Sequence, residues 1–227
     1  MADRWKIPLL LSPALLLIVG LFLGGLFLGL IGSLDYMPLL RRTELSFDAY
    51  RNILASEGFY LSFLLTFYIS FTSTVIASAL AIGAALILRR HFIGRSVINF
   101  LFQINLTVPH LVGAVGILYL FSQSGFFARL AYEFEMIARP SHFPALIYDP
   151  LAVGIILQYV WKEVPFIGMI LLANMQTFGE DYEIAARSLG ANRWQSFRYV
   201  LLPLITPGLL AAALIVFAFT FGAYEIP

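Results

Sequence analysis

Five stretches of this chain are long and apolar enough to cross a lipid bilayer, and no other feature restricts its fold so tightly: 7–31, 60–88, 97–121, 151–173 and 204–221. A helix rises 1.5 Å per residue, so about 20 apolar residues span a hydrocarbon core of roughly 30 Å. In lipid each backbone N–H and C=O must find its partner inside the protein, which a helix achieves by itself. The predicted fold is therefore all-α and polytopic, one transmembrane domain over 1–227 with five membrane helices in this chain. A composition 60% hydrophobic and 12% charged, with a mean hydropathy of +0.87, is that of an integral membrane protein.

The first run follows Arg4 and Lys6 and has to be weighed against a secretory signal. Its length of about 25 residues, and the lack of a small-x-small cleavage pattern before Leu34, favour a retained helix over 7–31. Lys and Arg collect on the cytoplasmic side of membrane proteins. Alternate connecting segments here hold eight against five, with Arg89, Arg90 and Arg95 crowded into one short loop. That balance predicts a cytoplasmic N-terminus, outward loops 32–59 and 122–150, both net acidic, and a cytoplasmic segment 174–203. Five crossings leave the C-terminus outside, yet the chain closes on "FGAYEIP" without a charged or polar tail, so a sixth helix is expected in the full protein.

Several functions are made improbable by what the sequence contains. A net charge of +1 offers little to nucleic acid, and the absence of cysteine removes disulfides, thiolate metal sites and cysteine nucleophiles. There is no G-x-x-x-x-G-K-[ST] phosphate loop and no convincing catalytic constellation, and His110 has no second ligand at helical spacing. A non-enzymatic chain without cofactor or metal is expected.

One compact polar segment stands between the last two apolar runs: "EDYEIAARSLGANRWQSFRYV". Over 181–189 it has good helix formers, acidic residues in the first turn and Arg187 near the end, which matches the helix dipole. Gly190 can take positive φ and end that helix in a tight turn. Asn192 can then cap a second helix, carried by the bulky anchors Trp194 and Phe197 until Pro203. The result is a helix-turn-helix outside the membrane, whose small Ala185 and Ala186 let another surface come close. On these residues alone, a docking knob for a cytoplasmic partner and an amphipathic interfacial helix are both open.

The segment "AARSLGANRWQSFRYVLLPLITPG" closely resembles the coupling loop of the permease subunits of binding-protein-dependent ABC importers, through Ala185, Ala186, Gly190, Ala191, Leu202, Pro203 and Pro207. The resemblance implies a family core over 60–227, a cytoplasmic coupling loop over 181–200 and a multi-pass bacterial inner-membrane protein. It also implies ABC ATPase subunits that hydrolyse the ATP, a second permease subunit, identical or different, and an extracytoplasmic solute-binding protein. One position departs from the pattern. Where the family has glutamate, this chain has Ile184, and Glu183 lies one residue away. The stretch "LIYDPLAVGIILQYVWKEVPF" and the chain's ending look most like members that serve polyamines and other small organic solutes.

Polar groups inside apolar runs are costly and mark candidate pathway residues. Asn99, Gln103 and His110 fall near one face of the third run, with Pro109 beside them. Lys162 and Glu163 lie near the middle of the fourth, with Pro165 after them; adjacent helical residues point about 100° apart, so a wet cavity or a neighbouring subunit is expected to face them. Hydrogen bonding between helices is the competing account. The series Ser62, Thr66, Ser70, Ser73, Ala77 and Ala81 is expected to serve close packing. A short helix is expected over 125–138. The rival to an ABC permease is a secondary transporter driven by an ion gradient and coupled through Lys162, Glu163 and His110.

Overall fold

A computed structural model describes residues 6–40, 42–178 and 180–223. Arg4, Arg41 and the closing residues 224–227, which entered the charge count and the truncation argument, lie outside the described residues. The described chain is helical, and a bridge between Met37 and Arg42 is its only β pairing. Five helical segments are long and apolar enough to cross a membrane: Lys6–Ser33, Glu57–Leu88, His110–Glu133, Val153–Thr177 and Arg193–Gly222.

By contact the chain divides into two compact units, Met1–Leu64 and Leu65–Pro227. In the first, α1 (Lys6–Ser33) is apolar all round and buries no residue, as suits a helix whose solvent is lipid. The short α2 (Asp48–Leu54) is tied back to it where Tyr50 Oη donates to Ser33 Oγ at 2.7 Å. Arg42 pairs with Asp35 in the turn between them. The unit ends inside α3 (Glu57–Leu88), near whose start Tyr60 Oη donates to the Leu54 carbonyl at 2.9 Å.

In the second unit, the small-residue series on α3 packs over part of its length: Ser70, Ser73, Ala77 and Ala81 are fully buried and Ala85 extends the stripe, whereas Thr66 is half-buried and Ser62, in the first unit, is exposed. Small side chains let backbones approach, which is how helices associate where lipid offers no hydrophobic contrast. Against this stripe pack Ile167 and Leu171 of α7 (Val153–Phe178), with Ile205, Ala212 and Val216 of α10 (Leu202–Gly222). The helix α7 is the centre of the unit, with 61% of its apolar window buried against 22–33% for the spans of α3 and α10.

The run 97–121 is not one helix. It is α4 (Arg95–Thr107) and α5 (His110–Phe121), separated by Val108 and Pro109 in extended conformation. Pro109 has no N–H to continue the ladder, and its ring disfavours helical dihedrals at Val108. The third crossing accordingly moves toward the C-terminus, to His110–Glu133, and takes in α6 (Phe126–Glu133), where a longer separate helix over 125–138 was expected.

Candidate functional site

Two polar constellations lie in the second unit, one at the helix-turn-helix and one inside the bundle. The first begins with α8 (Glu180–Ser188), which leaves the end of α7. Gly190 ends it at φ +93, in the left-handed region that favours glycine. Gly190 N donates to Arg187 O at 3.0 Å and Ala191 N to Ala186 O at 3.1 Å, the two bonds of a Schellman turn. Asn192 then caps α9 (Arg193–Ser196) with a reciprocal box: its side chain accepts from Gln195 N at 2.9 Å, and Gln195 Oε1 accepts from Asn192 N at 2.9 Å.

Beyond α9 the expected stop at Pro203 does not occur. Phe197–Leu201 form a π turn that runs directly into α10, and Pro203 occupies an opening position of that helix, where a missing N–H costs least. The second arm of the loop is thus continuous with the last membrane span.

The loop is braced from within. The two terminal guanidinium nitrogens of Arg89, just past the end of α3, donate to the carboxylate of Glu183, a bidentate pair with only 26% and 17% of the two side chains exposed. Glu183 therefore faces the bundle. Ile184, Leu189 and Trp194 are exposed, Leu189 by 90%. Ala185 is exposed, and Ala186 and Ala191 are half-buried. Of the two anchors, Phe197 packs against the core, while Trp194 is largely exposed and lies against Phe197, their ring centroids 5.6 Å apart.

Inside the bundle, two prolines create two backbone deficits. Pro109 supplies no N–H to Asn105 O, which keeps only the donor three residues on, Val108 N at 3.1 Å, and Pro165 supplies none to Trp161 O. Each helix repairs the other. Lys162 Nζ, on α7, donates to Asn105 O and Val108 O at the open end of α4, where the helix dipole also favours a cation. Asn105 Nδ2, on α4, donates to Trp161 O at 3.1 Å.

Two further contacts hold the start of α5. Gln158 Nε2 donates to His110 O at 3.1 Å, and His110 Nε2 lies 3.0 Å from Glu163 Oε1. A side chain at Gly113 is excluded there, because a Cβ would come within 2.5 Å of Gln158 Nε2 and 2.8 Å of Trp161 Cζ3. Lys162 and Glu163 are both buried within the chain, the first on carbonyls and the second on a histidine.

His110, Lys162 and Glu163 are brought together, but Asn99 and Gln103 are not. They remain on α4, across the break from His110; Gln103 is exposed, and Asn99 is half-buried with a buried, unpartnered Oδ1. Asn105 and Gln158 are not among the residues the sequence singled out, and Arg89 entered only as a topology charge. Asn105 was detectable as the residue four before Pro109, whereas Gln158 and Arg89 carry no local signal. Gln158 Oε1 has no hydrogen-bond partner among the described residues, and this residue lines a mainly apolar cavity of about 380 Å³ together with Asp149.

Comparison with known proteins identifies the family. A family model described as a binding-protein-dependent transport system inner membrane component matches residues 77–226. The sulfate transport system permease protein CysT of Salmonella typhimurium is 26% identical over 82% of this chain and 64% of its own length. The trehalose transport system permease protein SugA of Mycobacterium tuberculosis is 26% identical over 94% of this chain and 69% of its own. The chain thus spans just under two thirds of the sulfate permease it matches. A solved bacterial ABC transporter that imports the acidic polysaccharide alginate shares the fold, with TM-score 0.74 and 20% identity over 96% of this chain and 76% of that one.

Proposed function

Because this chain belongs to the family of binding-protein-dependent transport system inner membrane components, we propose that it is the permease subunit of an ATP-driven importer. It lines the membrane passage for a small solute delivered by an extracytoplasmic binding protein. It works with a second permease and with two ATPase subunits that bind and hydrolyse the nucleotide.

In this reading α8 and α9 are the element that the ATPase grips, on the cytoplasmic side, with the N-terminus on that side too. The observation that carries it is the build of the knob: capped at both turns, braced by Arg89 and Glu183, and presenting Ile184, Leu189 and Trp194 outward. A coupling element must bias one conformation over another, and a lever that bends cannot transmit that bias. Gly190→Pro, which closes the left-handed conformation, and deletion of 181–195 are expected to abolish co-purification with the ATPase subunit. ATP-independent accumulation of solute in intact cells contradicts the assignment.

The passage runs beside the cluster of Lys162, Glu163, His110, Asn105 and Gln158, with Asn99 and Gln103 nearer the α4 end. Lys162→Ala or Glu163→Ala is expected to lose transport while the assembly still purifies; wild-type transport in both removes these residues from the passage. An ion-driven transporter using Lys162, Glu163 and His110 is less well supported, since all three already hold partners within the bundle. The solute is a small molecule. A polyamine-like cation rests only on the sequence resemblance, while the relatives compared above are named for sulfate and trehalose.

A further inference from the structure

We infer that the arginines around the α3–α4 turn and the α8–α9 loop form a binding site for a phosphate group, supplied by a lipid headgroup or by a small soluble phosphate. Two adjoining clefts, of about 430 and 410 Å³, share Arg89, Arg90, Glu183 and Arg187; His91 lines the first, and Arg193 and Ser196 the second. Glu183 is the only carboxylate among the described residues lining either cleft, and Arg89 already engages it. The third arginine of the turn, Arg95, has its Nε on the Leu88 carbonyl at 2.8 Å, where it caps α3.

Arg90, Arg187 and Arg193 are different. Among the described residues none of them has a carboxylate partner. Three cations around one concavity repel each other and raise a positive potential that an anion relieves. A second observation points to the same occupant. Ser196 is 1% exposed and lines the second cleft, and its Oγ has no hydrogen-bond partner among the described residues.

Planar guanidinium forks and a hydroxyl donor suit the several oxygens of a phosphate, which accept many bonds at once. The location supplies a source. Phe92 and Ile93, in the same turn, are exposed apolar residues, Ile93 fully so, and such residues beside a basic cluster place the turn at a membrane interface, among lipid phosphates.

The test uses the full chain in two arms. In the first, inorganic phosphate is titrated against chloride at matched ionic strength, and the thermal unfolding midpoint is followed. In the second, the chain sits in nanodiscs of phosphatidylcholine with or without phosphatidylglycerol, and retained lipid is counted by native mass spectrometry. Saturable binding in either arm, weakened at least tenfold in R90Q/R187Q and also weakened in S196A, supports the site and identifies the source. Should the double variant fail to fold, R193Q is compared with wild type in its place. Equal binding by wild type and the arginine variants in both arms, or equal responses to phosphate and chloride with no retained phosphatidylglycerol, overturns it.

Discussion

At Pro109 and Pro165 the same chemical deficit, an absent N–H, is repaired from opposite sides by Lys162 and Asn105. The account makes a specific claim of dependence: Asn105 is needed because position 165 is proline. Asn105→Leu is expected to destabilise the chain by about 1–3 kcal/mol, the cost of an orphaned buried carbonyl. In a Pro165→Ala background Trp161 O regains its helical donor, so most of that cost should vanish, leaving a coupling of about 0.5–3 kcal/mol in a double-mutant cycle of chemical unfolding. Lys162→Met has no such rescue. It strips the donor from Val108 O and leaves Glu163 without a nearby cation, so it is expected to destabilise more than Asn105→Leu does in the wild-type background.

Among the elements, the helix-turn-helix was the most legible in the sequence, because its instructions are local. Gly190 and Asn192 carry the chemistry of their turns within a few residues, and each adopts the conformation that chemistry favours. Gly190→Ala is accordingly expected to cost about 1–2 kcal/mol from the left-handed backbone alone, read as a lowered unfolding midpoint. The break at Pro109 was within reach of the same local rules, but the apolar run on both sides outweighed it. What local reasoning could not reach is the pairing of Arg89 with Glu183, since the partners are distant in sequence and meet only after α3 and α7 have packed. Arg89→Glu or Glu183→Arg alone should lower retention of the ATPase severalfold, and the two combined should restore part of it, because the exchanged charges can pair again.

For the whole molecule, apolar length specified five crossings, and α7 became the centre of the second unit's helix bundle by carrying both the packing face and the polar cluster. The central claim is that the knob after α7 meets a nucleotide-driven motor at one end of that bundle. The 227-residue sequence has no cysteine, so one introduced residue is its sole thiol. Leu189→Cys tests the knob, and Tyr148→Cys, equally exposed and preceding the opposite end of α7, is the control. In the assembled transporter, disulfide or short bifunctional cross-linking should join position 189 to the ATPase subunit and leave position 148 unlinked. Labelling of Leu189→Cys by a membrane-impermeant thiol reagent applied from outside the cell, with no link to an ATPase, would contradict the account.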